Sequence, residues 1–302
     1  EKTMAYTALF NADDVERLYV YGGQNEAGFA ILNNMSYNLA SRKYVPTNGT
    51  VMRLALEKCT TVDEFETMLR EMPGRLCTSN FAVLDSTGAC AYIEAADTSV
   101  ARFDAPADGW LVRSNYSISG SEDGPSGYAR YESAYRLMKR HRGPFSPADL
   151  IDGLGRSYFN AVLGYDASRW FRRRFAFDED FIPRPTTTSS ICIDGDRVWA
   201  AVGYTPGTLM VPFTVKDGFG MPSCIQPSGE YDGGCAADAL GAAVKSRMHP
   251  LPRDAARKYV DFREFRRVRK IVRRYEKQLA GMAGADPAEI DALFEQFRTE
   301  VI

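Results

Sequence analysis

Asparagine and arginine stand at three points of the 302-residue chain where apolar runs give out, and together they form a set suited to holding negative charge. In "NEAGFAILNNMSYN" (Asn25 to Asn38) an apolar run ends on Asn33 and Asn34. In "VRSNYSISG" (Val112 to Gly120) a run that begins at Trp110 ends on Asn115 before a soft Ser/Gly stretch. In "SGYARYESA" Arg130 lies one turn into a helical pattern among tyrosines. A carboxamide N–H aimed at a reacting carbonyl stabilises the developing oxyanion by about 3 kcal/mol in a dry site. Each residue also has a local explanation. Asparagine at a strand end makes turns, and arginine among tyrosines stacks on a ring or pairs with a carboxylate.

Other chemistries are poorly supplied. The two histidines, His141 in "KRHRG" and His249 in "MHPLP", fall at a helix end and in a loop. Neither stands beside a Cys or Ser in a nucleophile motif, so no histidine triad or histidine-bound metal is expected, and hydrolysis would need another base. The six cysteines (Cys59, Cys77, Cys90, Cys192, Cys224, Cys235) show no CxxC or metal-knuckle spacing. They read mainly as small buried hydrophobes, with Cys224 and Cys235 the pair expected if a disulfide forms. No cofactor is expected: no glycine-rich phosphate loop occurs.

A net charge of −2 and a composition 45% hydrophobic and 25% charged describe a globular protein with ample core and no global attraction to nucleic acid. The cationic run "REFRRVRKIVRRYEK" from Arg263 reads as an amphipathic helix with Phe265, Val268, Val272 and Tyr275 inward and arginines solvated or paired with acids. Binding of nucleic acid or anionic lipid through it is the alternative. The most apolar stretch, Val198 to Val215, is broken by Gly203, Pro206, Gly207 and Pro212, so no membrane span is expected. The opening "EKTMAYTALF" is no signal peptide. The expected location is periplasmic or secreted if an upstream signal has been removed, and cytoplasmic otherwise.

The elements needed to position these residues can be read along the chain. Strands are expected at Leu18–Tyr21 and Phe29–Asn33, joined by a glycine-bearing turn. A hairpin is expected in "NFAVLDSTGACAYIEA", turning at Asp85–Gly88, and a further strand pair in "VARFDAPADGWLVRSN". Thr61 and Glu64 have the spacing of a capping box ahead of Phe65, Met68 and Leu69. Gly127 to Arg142 reads as helix, and Ser146-Pro147-Ala148-Asp149 opens another. Strands return in "TSSICIDGDRVWAAVGYTPGTLMVPFTV", with a tight turn at Asp194-Gly195. From Ala236 the chain is helical, and Asp286-Pro287 opens the last helix. Strands at both ends with helices between suggest an α+β layered architecture, with residues 1–302 as one domain and 236–302 its mainly helical part.

Seven segments occur in an order that carries a resemblance: "GQNEAGFAILNNMSYNL", "CTTVDEFETML", "NFAVLDSTGACAYIEA", "GWLVRSNYSISG", "GYARYESA", "FIPRPTTTSSICIDG" and "WAAVGYTPGTLMVPFTV". From about Tyr19 to Val215, and more loosely through the tail, the chain resembles the choloylglycine hydrolase and penicillin-acyltransferase-like branch of the N-terminal nucleophile hydrolases, gut-bacterial members in particular. The resemblance implies a four-layer αββα sandwich. It implies a leading cysteine nucleophile whose own α-amino group is the base, an acyl-thioester intermediate and a small N-acyl amide substrate, such as a conjugated bile salt. Carried over by position, Asn115 matches the oxyanion-hole asparagine, Asn33 the second polar contact at the substrate carbonyl with Asn34 adjacent, and Arg130 the pocket arginine. Residue one here is Glu1 and no cysteine precedes Cys59. The expectation is therefore an upstream stretch supplying the nucleophile strand. The alternatives are an acyltransferase on the same scaffold, or an inactive relative acting as a binding protein. A homo-oligomer is a further expectation.

Overall fold

The computed structural model describes residues 3–41, 47–72, 77–122, 127–169, 174–177, 180–215, 220–250, 259–282 and 284–302. The architecture is α+β, and the chain divides into two compact units, Glu1–Tyr131 and Glu132–Ile302.

In the first unit, six strands form an antiparallel sheet in simple chain order: β1 (Tyr6–Leu9), β2 (Gly22–Asn25), β3 (Ala30–Met35), β4 (Ser79–Leu84), β5 (Cys90–Ala95) and β6 (Val100–Asp104). Helices α1 (Asn48–Lys58) and α2 (Val62–Glu71) supply the other half of one core. Strand residues alternate between faces. Ile31, Phe81, Val83, Ile93 and Ala95 accordingly pack with Val51, Met52, Leu56, Phe65 and Leu69 of the helices. Phe65 meets Phe81 edge-on at 5.5 Å, a geometry that adds to area burial. The same alternation puts Asn34, Asn80 and Glu94 in one transverse row on the opposite face.

Helix α2 forms where its capping box lies. Thr61 accepts from the Glu64 N–H, and the Glu64 carboxylate accepts from the Thr61 N–H. A second anchor is the buried Asp85 carboxylate, which accepts from the Val62 N–H at 2.9 Å and from Thr87 in the hairpin turn. The turn at Asp85–Gly88 lies where the sequence puts it, between β4 and β5.

Two strand expectations require correction. Residues Leu18–Tyr21 are not a strand: the Asp14 carboxylate holds the Leu18 and Tyr19 N–H groups in a local turn, and β2 begins at Gly22. The glycines are strand residues because β1 approaches them closely. A Cβ on Gly23 would lie 2.4 Å from the Thr7 carbonyl oxygen, which excludes any side chain. The run from Trp110 to Asn115 is not a strand either. In place of a ladder, buried side chains and one backbone bond, from the Tyr37 N–H to the Asn115 carbonyl at 2.9 Å, hold this part of the chain.

The second unit takes over within α3 (Tyr128–Arg140). Its three-stranded sheet, β10 (Ser189–Asp194), β11 (Arg197–Val202) and β12 (Val211–Thr214), is antiparallel, with a tight turn at Gly195, where φ is 61°. Two ribbons accompany it, β7 (Phe159–Asn160) with β8 (Tyr165–Asp166) and β9 (Phe175–Phe177) with β13 (Tyr259–Asp261). One face of β11 and β12 packs on α4 (Ala236–Met248), α5 (Phe262–Leu279) and α6 (Pro287–Val301) in a large core. Ser146 opens a helical segment as expected, accepting from the Asp149 N–H, though its turns from Asp149 to Gly155 are of the wider π type. Asp286 caps α6 through the Ala288 N–H.

Helix α5 buries Phe265, Val268, Val272 and Tyr275, and four of its six arginines meet acids: Arg267 with Glu264, Arg269 and Arg273 with Asp152, Arg274 with Glu300. Beneath it, the fully buried Arg156 guanidinium grips Glu276 with two hydrogen bonds of 2.8 and 2.7 Å and donates to the Thr205 and Thr208 carbonyls. Glu276 also accepts from the Met210 N–H at 2.8 Å. Cys224 and Cys235, the pair expected if a disulfide forms, are not bridged. All six cysteines are free, and these two are packed as small apolar groups in the second unit's core. Among the described residues no helix is long and apolar enough to cross a membrane.

Candidate active site

The residues singled out for chemistry belong to the first unit, and the structure joins two of them directly. The Arg130 Nη2 donates to Asn115 Oδ1 at 2.8 Å. The Asn115 Nδ2 donates in turn to the Met35 carbonyl, also at 2.8 Å, at the end of β3. Both ends of one carboxamide are thereby fixed, and the guanidinium draws electron density toward the oxygen. A carboxamide nitrogen carries two hydrogens. Met35 takes one, and the second remains a donor of enhanced strength.

Asn33 and Asn34, being neighbours in a strand, point to opposite faces. Asn33 lies on the helix-bearing face and donates from Nδ2 to Ser79 Oγ at 3.0 Å. Asn34 lies on the other face, in register with Asn80. Asn33 is therefore not in a hydrogen bond with Asn115 or Arg130; its carboxamide is held by β4.

The segment carrying Asn115 is fixed by buried polar side chains. Asn80, fully buried, donates from Nδ2 to the carbonyls of Ser114 (3.0 Å) and Tyr116 (3.3 Å), the residues on either side of Asn115. Its Oδ1 accepts from Ser117 Oγ. Asn38 accepts from the Ser117 N–H and donates to the Ser117 carbonyl, at 2.8 and 2.9 Å. Glu94, also fully buried, accepts from Arg113 Nε on one side of Asn115 and from the Ile118 and Ser119 N–H groups on the other. Arg113 lies between the rings of Tyr92 and Phe103, 5.2 and 4.7 Å from their centroids. This charge is matched and stacked, the condition under which a buried pair is tolerated.

Arg130 is brought in by the start of α3. Ser114 Oγ donates to the Gly127 carbonyl at 2.8 Å, and Gly127 has a φ of 91°. A Cβ at that position would also sit 3.1 Å from the Asn115 backbone, so glycine is required both for conformation and for approach. The rings of Tyr116, Tyr128 and Tyr131 cluster beside the pair, with centroids 5.4 to 6.3 Å apart.

Asn80 and Glu94 were not marked by sequence reasoning. Their signal was present, since a carboxamide and a carboxylate interrupt the apolar strands "SNFAVL" and "CAYIEA". Only the register shows that they share a row.

Five of the six cysteines have thiols raised by burial, and Cys77 is fully buried. Burial pushes the Cys59 thiol up to about 12 and the Cys192 thiol up to about 11, and raises those of Cys90, Cys224 and Cys235 as well. At neutral pH these groups are thiols, not thiolates. The histidines are occupied. His249 Nδ1 donates to the Tyr259 carbonyl at 2.9 Å, so its Nε2 accepts from Tyr204 OH at 3.0 Å. His141 stacks on Phe145 at 4.2 Å. Among the described residues no group of three or more His, Cys, Asp or Glu is arranged to hold a metal.

Residues 19–171, just over half of the chain, match the model of the family described as acyl-coenzyme A:6-aminopenicillanic acid acyl-transferase. The chain belongs to that family. The match contains Asn33, Asn80, Glu94, Asn115 and Arg130, so every group described around the Asn115 carboxamide falls within the family's shared region of this acyl-transferase-family chain. No curated protein sequence matches the chain.

Similar solved structures include penicillin V acylase from Agrobacterium tumefaciens, with 14% identity over 65% of this chain and 66% of that one and a TM-score of 0.38. They also include the Caenorhabditis elegans N-acylethanolamine-hydrolyzing acid amidase ortholog, with 14% identity over 57% of this chain and 78% of that one and a TM-score of 0.36. A variant of conjugated bile acid hydrolase from Clostridium perfringens shows 11% identity over 61% and 70%, with a TM-score of 0.35. The chain thus spans just under two thirds of the penicillin V acylase.

Proposed function

We propose that this protein is a cysteine-type amidohydrolase that cleaves a non-peptide C–N amide bond in a small N-acyl amide, conjugated bile salts included, through an acyl-thioester. The observation that carries the reading is the Arg130–Asn115–Met35 chain of hydrogen bonds, which holds a carboxamide with one N–H to spare. In this reading a thiolate adds to the amide carbon, and the carbonyl oxygen takes the negative charge and is held by Asn115 Nδ2. The C–N bond breaks, the amine leaves with a proton, and water resolves the thioester. Five of the six cysteines have thiols raised by burial and the sixth, Cys77, is fully buried, so the nucleophile is taken from a leading cysteine outside residues 1–302. Its α-amino group, which titrates near pH 8, serves as the base. The proposal includes the finer fold that goes with such chemistry, a four-layer αββα sandwich to which residues 1–302 contribute as one domain, all but the nucleophile strand.

For the second contact to the substrate carbonyl the resemblance gives Asn33. Asn34 shares the face on which Asn80 and Glu94 hold the Asn115 segment, so Asn33→Ala and Asn34→Ala belong in the same assay. Transfer of the acyl group to an amine instead of water is the second reading, favoured by the transferase description of the family.

The test is made on the full-length gene product. Intact mass identifies its leading residue, and mass spectrometry follows amine release from conjugated bile salts and other N-acyl amides, with and without an added acceptor amine. Asn115→Ala is expected to lower turnover about a hundredfold, the effect of deleting one oxyanion donor. Full turnover by that variant, or a product with no leading nucleophile, refutes the reading.

A further inference from the structure

The proposed role of Asn115 requires its carboxamide to be held to within a fraction of an ångström, yet the segment from Trp110 to Asn115 has no strand or helix to hold it. We infer that Asn80 is the positioning residue for Asn115, the side chain through which the sheet sets the geometry of the donor. The inference rests on the functional reading above.

Three observations converge on Asn80. It stands in β4, a strand paired on both sides, so its backbone is as fixed as any in the first unit. Its side chain is fully buried, and one nitrogen spans the Ser114 and Tyr116 carbonyls, the groups immediately before and after Asn115. Two contacts, to carbonyls on either side of the Asn115–Tyr116 peptide group, constrain rotation as well as translation, which a single contact does not. The remaining oxygen takes Ser117 Oγ, so the amide cannot flip without losing three bonds at once.

Neither flanking anchor duplicates this. Glu94 holds Arg113, Ile118 and Ser119, and Asn38 holds Ser117 and Ser121. Both leave Ser114 and Tyr116 untouched in the bonds they make, so they fix where the segment enters and leaves. The middle is fixed by Asn80 together with the Tyr37 N–H, which donates to the Asn115 carbonyl at 2.9 Å, and no other side chain among the described residues is seen donating to both the Ser114 and Tyr116 carbonyls.

A positioning residue that acts through Asn115 makes a distinctive prediction. In the full-length enzyme, Asn80→Ala should lower kcat about tenfold or more and leave KM within about threefold, because substrate binding does not need the exact donor position. In the background of Asn115→Ala the same substitution should cost no further kcat, since nothing remains to be positioned. Should Asn80→Ala fail to fold, judged by its melting transition, Ser117→Ala removes the hydroxyl that locks the Asn80 amide and is expected to lower kcat at least threefold. Wild-type kcat in a folded Asn80→Ala, a further loss in the double variant equal to that in the single, or unchanged kcat in Ser117→Ala would each overturn the inference while the Asn115 reading stands. A fully active Asn115→Ala removes both.

Discussion

The Arg156–Glu276 pair in the second unit should resist the usual remedy for a buried ion pair. Arg156 is fully buried and Glu276 is 6% exposed, so neither charge is solvated. Replacing Glu276 by Gln leaves the guanidinium, among the described residues, with only Asp152, at 3.8 Å, as a countercharge. The expected loss is about 3 to 5 kcal/mol, typical of a buried pair broken on one side. Replacing both partners by apolar residues of like volume is often neutral elsewhere. Here it should not be, because the pair also serves the backbone: Arg156 donates to the Thr205 and Thr208 carbonyls, and Glu276 accepts from the Met210 N–H. Three buried peptide groups would lose their partners at about 1 to 3 kcal/mol each, a total of at least about 3 kcal/mol. The assay is urea unfolding followed by tryptophan fluorescence and far-ultraviolet circular dichroism, with the slope checked for constancy. A double variant, Arg156→Met with Glu276→Leu, that matches wild type to within about 0.5 kcal/mol would refute the claim that the pair exists to satisfy the chain around it.

Two further outcomes test the first unit. Gly23→Ala should cost about 1 to 3 kcal/mol in a urea titration by forcing β1 off β2, and a change below about 0.5 kcal/mol would contradict the close approach to Thr7. Burial alone would raise the Asp85 carboxyl, but hydrogen bonds from Thr87 and the Val62 N–H outweigh it and hold it below its usual value. Its stabilising contribution is thus complete above the unfolded carboxylate range near pH 4 and is lost as pH falls through the lower folded value. Asp85→Asn should flatten the acid limb of a stability–pH profile, and parallel limbs would count against this.

What could be read from sequence was what local chemistry decides. The capping box at Thr61 and Glu64, the hairpin at Asp85–Gly88, the apolar stripe of α5 and the Asp286 cap of α6 each depend on a few adjacent residues, and each is found in place. The strand pairing of Gly22 and Gly23 was not readable, because glycine in a strand signals a close neighbour and the neighbour lies far back in the chain. Trp110, Leu111 and Val112 look like strand residues and are not, and the hold of Asn80 and Glu94 on Arg113 to Ser119 just beyond them is visible only through the sheet register. The contact of Arg130 with Asn115 spans fifteen positions and a glycine turn, so residue types suggest the pair but cannot orient it.

The meander of the first unit has a consequence for how the protein is made. Every strand pairs with the strand before or after it in chain order, and all but the β3–β4 pair, which closes across the segment carrying α1 and α2, are short closures of the kind that favours rapid folding. The segment around Asn115 has no such independence. Its moorings on β4 and β5 come side by side only once those two strands have zipped together, so a nascent chain acquires its scaffold first and its reactive edge last.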